Sequence, residues 1–323
     1  MLVYVVRHCQ SENNALKHPS LENEQRKSDP SLTKTGFEQR SALYTHFLLQ
    51  AEKKYRNVSE IWTSPMLRCL LTAKAVKDAL KHRARCFVHG EIFEHGGCFE
   101  GGRCCADPRI MGGVGRRGMT KTEIKNSFED FLVGDELTDG WWDKSRAVET
   151  VVEAQARAEK VAEQLWARAR GRGGIGGSLR NHDKDDDDDD EEDEDEDGRG
   201  SNKKKKRKID DDDDDDADDK KEHGNKSDDD NNIVGDLVIV SHGMFTDILL
   251  KILLGVPKTI GRQSGLFCSQ NAGIHVIDLD VSNGEENICG LLQFNDVRHI
   301  PEEYQTGGSV FGLDECYVSE GSA

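Results

Sequence analysis

Two histidines in this 323-residue chain each follow directly on a short apolar run, and the first has an arginine beside it. His8 comes after LVYVVR, and His242 comes after DLVIVS. A neutral imidazole can act as a nucleophile near neutral pH, and a guanidinium gives forked hydrogen bonds to phosphate oxygens. Arg7 and His8 together therefore suit the transfer of a phosphoryl group, in which charge is spread over three equatorial oxygens.

Backbone donors are expected beside these side chains, because two helices are predicted to begin there. Ser64 is placed to cap a helix whose first residue is Pro65, so that Arg68 lies in the first turn or just beyond. The second helix follows His242 and opens with Gly243. Free N–H groups and the positive end of the helix dipole favour an anion at such a position.

A carboxylic acid would be needed to protonate the leaving oxygen. The stretch EIFEHGG offers two candidates, Glu91 and Glu94. The residues alone leave the choice between them open.

The strands and helices that would position these groups alternate along the chain. LVYVV, VSEIWTS and DLVIVS predict strands, and a helix capped by Thr33 and a long helix over 145–172 lie between them. GIHVIDLDV and ICGLLQFNDV predict the last strands, and the glycine-rich stretch 86–119 predicts a long loop. The alternation favours an α/β fold, a three-layer αβα sandwich around a mostly parallel sheet. His8 and His242 should then face the same edge of that sheet, where ligands bind.

A low-complexity tract occupies residues 171–232. Between residues 183 and 232 the chain has 27 acidic and 11 basic residues, so this part carries −16 of the total net charge of −18. Such a composition cannot bury enough apolar surface to offset chain entropy, which predicts a disordered insertion within a single domain spanning residues 1–323. Its acidic blocks are a candidate surface for a basic partner, and KKKKRK at 203–208 resembles a nuclear localisation signal.

The remaining composition predicts a soluble intracellular protein. The nine cysteines are odd in number and scattered, with no secretory signal before them, which favours reduced thiols. No apolar run approaches the roughly 20 residues that span a bilayer. We expect a cytoplasmic location, with the nucleus as the alternative, and neither a membrane nor a nucleic acid as partner.

Five potential zinc ligands stand close together in the chain: His89, His95, Cys98, Cys104 and Cys105. This stretch contains no C-x-x-C pair, and its spacings fit no standard zinc finger. We therefore expect loop histidines and free thiols here.

Six short blocks of the sequence are similar to known motifs and occur in the same order as those motifs. They are RHCQSENN at 7–14, LTKTG at 32–36, SPMLRCLLTA at 64–73, VSHG at 240–243, NAGI at 271–274 and NDVRH at 295–299. They resemble, in this order, the R-H-G-E-S-x-x-N, L-T-x-x-G, S-P-L-x-R-A-x-x-T-A, V-S-H-G, N-x-[SG]-I and N-D-x-x-H motifs of the histidine phosphatase superfamily, the phosphoglycerate-mutase-like proteins. The chain is identified as resembling the phosphatase-type branch of that family.

The resemblance implies a role for each matching residue. His8 would be the nucleophile that becomes phosphorylated, with His242 beside it as a second catalytic residue. The residues that would hold the phosphate are Arg7, Asn14, Arg68, His242 and Gly243. The family's reaction needs no metal or other cofactor, because arginines and histidines supply the positive charge.

The family places its acid shortly before a Gly-x-aromatic-Glu-Gly element, which is here GCFEG at 97–101. On this resemblance Glu94 is preferred as proton donor and acceptor, with Glu91 as the fallback.

Two departures from the family pattern bear on function. Cys9 replaces the usual glycine, which would crowd the turn if that position needed a positive φ. The substrate-loop motifs of the glycolytic mutases are not found, which favours a metal-independent phosphomonoester hydrolase acting on a small phosphorylated substrate or a phosphoprotein. The alternatives are a mutase of the phosphoglycerate type and a catalytically silent phosphate-binding module whose output is the charged tract.

Overall fold

The computed structural model describes residues 1–16, 25–101, 113–173, 235–257, 265–281 and 287–307. All of these belong to one of the two compact units into which the chain divides, Met1–Gly177 with Ile233–Ala323. The predicted insertion at 171–232 lies outside the described residues from residue 174 onward, and so does the basic run at 203–208. In the described ranges, none of the helices is both long enough and apolar enough to cross a membrane.

A central sheet is built on β1 (Leu2–Arg7). The other strands are β2 (Val58–Thr63), β3 (Arg85–Val88), β4 (Phe99–Glu100), β5 (Val114–Gly115), β6 (Phe131–Val133), β7 (Asp236–Ser241), β8 (Ile274–Asp280) and β9 (Ile288–Asp296). Over the described ranges the sheet has seven strands in the order β6-β3-β2-β7-β1-β8-β9, and β4 pairs separately with β5. The strands β6, β3, β2, β7 and β1 pair in parallel. In contrast, β8 pairs antiparallel with β1 on one side and with β9 on the other. The predicted mostly parallel sheet is confirmed.

Helices cover both faces of this sheet. They are α1 (Lys34–Leu49), α2 (Leu67–Leu80), α3 (Lys121–Ser127), α4 (Val151–Gly173) and α5 (Gly243–Leu253). Alternate side chains of β1 point to opposite faces, so Tyr4 and Val6 join an apolar cluster with α1 and α2. Val3 and Val5 join a second cluster with α4 and α5. The buried apolar strand in the sequence therefore corresponds to the middle layer of a three-layer α/β fold, as predicted.

One predicted helix start was wrong by two residues. Helix α2 begins at Leu67 rather than at Pro65, and Met66 before it is extended. The cap comes from elsewhere in the chain: the Asp29 carboxylate accepts a hydrogen bond from the Leu67 N–H at 2.8 Å. Ser64 instead accepts from the Met66 N–H at 3.3 Å, so its hydroxyl lies before the helix and not on its first turn.

Two other predicted boundaries also differ. The long helix begins at Val151 and not at residue 145, because Thr150 and Glu153 form a reciprocal capping box with distances of 2.7 and 3.2 Å. The predicted loop at 86–119 contains part of β3, which lies between β2 and β6. Four residues are too few to show a strand period in the sequence.

Candidate active site

The ends of β1 and β7 bring the two histidines together. These strands are parallel neighbours with Arg7 opposite Ser241, so His8 and His242 follow them at the same edge of the sheet. The His8 N–H donates to the Ser241 carbonyl at 2.9 Å, and the two imidazole centres are 5.1 Å apart. Both side chains are buried.

The contacts of His8 determine which ring nitrogen carries a proton. Nδ1 lies 2.7 Å from the Cys9 carbonyl oxygen, which can only accept, so Nδ1 is assigned as the protonated donor. Nε2 accepts from the Nε–H of Arg68 at 3.2 Å. Burial, and then the charges of Arg68 and Arg7, hold the pKa of His8 well below its ordinary value. His8 is therefore a neutral imidazole whose Nε2 lone pair points to a guanidinium.

His242 is held from the side of α2. Its Nε2 lies 2.8 Å from the Ser64 hydroxyl and 3.3 Å from the Cys69 thiol. Burial first, and then Arg68, hold the pKa of His242 well below its ordinary value. This second imidazole is also neutral, so it adds no positive charge that the neighbouring arginines would repel. A neutral imidazole can still donate a hydrogen bond to a phosphate oxygen.

Two guanidiniums supply the positive charge. The first turn of α2 carries Arg68, which is 6% exposed. Arg7 donates to the Ser269 carbonyl, while its Nε is buried and has no hydrogen-bond partner among the described residues. Gly243 leaves room for this side chain, because an added Cβ would lie 3.3 Å from the Arg7 guanidinium carbon. Burial lowers the pKa of Arg7. A partly buried cation with a buried, unused N–H donor favours an anionic ligand.

The turn after His8 is closed by two asparagines. Asn14 Oδ1 accepts from the Ser11 N–H at 3.2 Å and the Ser11 hydroxyl at 3.0 Å. Asn271 Nδ2 donates to the same oxygen at 3.2 Å and to the His8 carbonyl at 3.1 Å. The oxygen of Asn14 is thus used inside the turn, and its Nδ2 is the donor left for a phosphate contact.

Cys9 does not crowd this turn. It does not adopt a positive φ, so the strain expected of a residue in place of glycine is absent. Its buried side chain packs with Leu32, Ala272 and Ile300. Its N–H donates to the Thr72 hydroxyl at 3.0 Å, which ties the turn to α2. Burial raises the pKa of this thiol to about 12, so Cys9 acts as a small apolar side chain.

The two candidate acids are placed differently. Glu94 Oε1 accepts from the Phe245 N–H at 3.1 Å and from the His95 N–H at 3.0 Å, so the carboxyl group lies at the first turn of α5. Its charge also raises the pKa of Arg7, against the larger effect of burial. The contribution of Glu91 to this region is its backbone, whose carbonyl accepts from Arg157 at 2.6 Å. The geometry favours Glu94.

The potential zinc ligands that the structure describes have other partners. His89 Nε2 lies 2.8 Å from Gln164 Oε1, and His95 Nδ1 lies 3.6 Å from Glu149. Cys104 and Cys105 lie outside the described residues. Among those that are described, no group of three or more His, Cys, Asp or Glu side chains could hold a metal ion.

Sequence reasoning missed three residues that shape the site. Ser64 was interpreted as a helix cap but contacts His242. Ser269 holds Arg7 through its carbonyl, which no side-chain motif reveals. Asp29 has one buried carboxylate oxygen without a hydrogen-bond partner in the described ranges, and burial raises its pKa to about 6 against the effect of Arg68. Only the tertiary structure shows that Asp29 lies at the start of α2.

A family model matches the part of the chain that contains the first three of the six motifs. Residues 3–103 match the family described as histidine phosphatase superfamily (branch 1). No curated protein sequence matches the chain. His242 lies outside the matched residues.

Several solved structures resemble the chain at low identity. A phosphoserine phosphatase mutant from Entamoeba histolytica in complex with phosphoserine is 15% identical, with 93% of this chain and 99% of that chain covered and a TM-score of 0.43. A mycobacterial glucosyl-3-phosphoglycerate phosphatase in complex with VO3 is 16% identical, with 91% and 98% covered and a TM-score of 0.44. A protein from Escherichia coli described as an alpha-ribazole-5'-P phosphatase is 13% identical, with 92% and 97% covered and a TM-score of 0.43.

The family match includes β1, the turn after it and α2, and so it includes Arg7, His8 and Arg68. Residues 3–103 of this chain are therefore similar to the histidine phosphatase superfamily (branch 1).

Proposed function

We propose that this protein is a metal-independent phosphomonoester hydrolase that works through a phosphohistidine on His8. The observation that carries the proposal is the state of the His8 ring. Nδ1 is engaged by the Cys9 carbonyl at 2.7 Å, and Nε2 keeps its lone pair 3.2 Å from a guanidinium nitrogen of Arg68. A phosphate bound to that guanidinium would lie beside the nucleophilic nitrogen.

In the first step, Nε2 of His8 attacks phosphorus and the bond from phosphorus to the ester oxygen breaks. Arg7 and Arg68 stabilise the charge on the equatorial oxygens. Glu94 gives a proton to the departing oxygen. Glu94 Oε1 already accepts two backbone N–H groups, so Oε2 is the oxygen that carries this proton.

In the second step, water attacks the phosphorus of phosphohistidine and the bond from phosphorus to Nε2 breaks. The Glu94 carboxylate now accepts a proton from the attacking water, which returns the acid to its starting state. His8 leaves as the neutral imidazole that burial and its two arginine neighbours favour. The product is inorganic phosphate, and the substrate is a small phosphorylated molecule or a phosphoprotein.

The test compares wild-type protein with His8→Ala on a panel of phosphorylated metabolites and phosphopeptides. His82→Ala is the control, because His82 is an exposed histidine on the turn after α2. The wild type and the control should release phosphate in the presence of a chelator, whereas His8→Ala should not. Rapid quenching in base should trap a phosphoryl label on the wild type that acid removes, as expected for phosphohistidine. Equal turnover by His8→Ala would refute the mechanism.

Additional measurements on the same protein separate the two alternatives. A mutase would return the label from His8 to a second hydroxyl of 3-phosphoglycerate when a bisphosphate primer is supplied, with little free phosphate. A silent binding module would bind phosphate without labelling His8. A phosphatase should also keep its activity when residues 174–232 are removed, whereas an interaction that depends on the charged tract should not survive.

A further inference from the structure

We propose that Arg157 and Glu149 are positioning residues for the acid Glu94, and that together they hold its loop against the start of α5. This inference rests on the proposed function, because it assigns the pair a task in proton transfer to the leaving group. Neither residue touches His8 or the arginines of the phosphate site in the described contacts, and neither belongs to the six sequence blocks.

Arg157 holds the chain just before Glu94. From the second turn of α4, its Nη1 donates to the Glu91 carbonyl at 2.6 Å and to the Phe93 carbonyl at 3.0 Å. The carbonyl between them, that of Ile92, accepts from the Ser241 hydroxyl at 2.9 Å. Three successive carbonyls before the acid are therefore held by α4 and β7.

Glu149 holds the chain just after the acid and also holds Arg157. Its N–H donates to the Gly96 carbonyl at 3.3 Å. Its two carboxylate oxygens accept from Arg157 Nε at 2.8 Å and Nη2 at 2.7 Å. Burial alone would raise the pKa of Glu149, but the nearby His95 and Arg157 outweigh burial and hold it at about 2. The Glu149 carboxyl group is therefore ionised at neutral pH.

Arg157 also contacts the element to which Glu94 binds. Its guanidinium lies 3.6 Å from the Phe93 ring centre and 4.7 Å from the Phe245 ring centre. Phe245 is the residue whose N–H donates to Glu94 Oε1. The same side chain thus fixes both ends of the contact that places the carboxyl group.

Two glycines stand close behind the acid in its loop. Gly96 and Gly97 both have positive φ, at 95° and 91°, so the two residues that follow His95 add little stiffness to the chain. A buried ion pair adds little to the free energy of folding, because desolvation of the two charges offsets much of their attraction. A bidentate pair with its remaining donor on backbone carbonyls instead fixes geometry, which is what an acid needs.

The test uses leaving groups of different acidity. An alkyl phosphate needs a proton on its departing oxygen, whereas 2,4-dinitrophenyl phosphate releases a stable anion that does not. Loss of general acid catalysis costs about 100-fold to 10,000-fold. Glu94→Gln should therefore lower kcat/KM for the alkyl ester by at least about 100-fold and leave the dinitrophenyl ester far less affected.

Arg157→Lys should show the same selective loss, because lysine keeps the charge but cannot bind two carboxylate oxygens and two carbonyls at once. Glu149→Gln serves as a second variant, since it keeps the shape of the side chain if Arg157→Lys fails to fold. Arg168→Lys is the matched control: Arg168 lies further along α4 and pairs with Glu60 at 2.8 Å, and its variant should keep the wild-type ratio between the two esters.

Each outcome decides one question. A selective loss in Arg157→Lys or Glu149→Gln supports the inference, since a purely structural defect would lower kcat/KM for both esters equally. An equal fall in kcat/KM for both esters, or no fall for either, would leave the ratio between the esters unchanged. Either result would overturn the inference while the proposed function stands. A wild type that hydrolyses neither ester and does not label His8 would overturn the proposed function first, and the inference with it.

Discussion

Gly36, in the first turn of α1, is the position where a single methyl group should disturb the turn after His8. A Cβ built on Gly36 would overlap the carbonyl oxygen of Gln10 and would lie 3.1 Å from Leu32 Cβ. Gln10 is two residues after His8, so Gly36→Ala pushes this turn away from α1. The obstacle is backbone, which cannot rotate out of the way as a side chain can.

The expected magnitude follows from two opposing effects. Overpacking of a tight site costs about 1–3 kcal/mol. Replacing a helical glycine by alanine recovers up to about 1 kcal/mol. Because the backbone must move, we expect a net loss of about 1–2 kcal/mol in the free energy of unfolding, and a Tm about 2–8 °C lower for a domain of this size. A misplacement of about 1 Å at the site can cost about 100-fold, so kcat/KM should fall by roughly 10-fold to 100-fold.

The assay combines a thermal melt with kcat/KM on whichever phosphate ester proves active. Gly290→Ala is the control, because the nearest atom to its added Cβ is 3.8 Å away, on Leu292. If Gly36→Ala proved as stable and as active as Gly290→Ala, the close approach of α1 to the turn would not be what positions the site.

Two further predictions concern Cys9 and Asp29, two residues of the candidate site. Cys9→Ala should lower the free energy of unfolding by about 1 kcal/mol through lost packing and leave kcat/KM nearly unchanged; a loss of activity beyond tenfold in steady-state kinetics would show that the thiol takes part in the reaction. Asp29→Asn should change how stability depends on pH. Burial raises the pKa of Asp29 to about 6, from an ordinary 3.8, so the wild type has its full stability from this group below about pH 4 and loses it as the pH rises through 6. Asparagine can still accept from Leu67, so urea melts at pH 8 should find the variant more stable by at most about 3 kcal/mol, with the difference vanishing near pH 4; a constant difference would contradict this reasoning.

The local sequence was enough for much of the fold. The run LVYVV predicted a strand buried on both faces, and β1 indeed has Tyr4 and Val6 on one face and Val3 and Val5 on the other. Its alternation with helices predicted the mostly parallel sheet, and the sheet in turn predicted that His8 and His242 share an edge. These inferences succeed because strand burial and the geometry of parallel sheets are set by residue type and order.

The two misplaced helix starts have different causes, one a distant residue and the other a local motif. Ser64 and Pro65 have the right types to begin a helix, but Asp29 caps α2 at Leu67 from 38 positions away. The capping box of Thr150 and Glu153 was visible in the sequence as T-x-x-E, and it would have placed the start of α4 correctly.

From its sequence alone this protein was determined to have an α/β fold, an ordered series of family motifs, and a set of histidines and arginines suited to a phosphoryl group. Only the tertiary structure decided which nitrogen of His8 carries the lone pair, that Cys9 needs no positive φ, and that Glu94 lies at the start of α5. The physical reason is range: residue type and spacing define what each segment can do, whereas the ring state of His8 and the place of Glu94 depend on contacts from Arg68, Phe245 and Arg157, which only folding brings together.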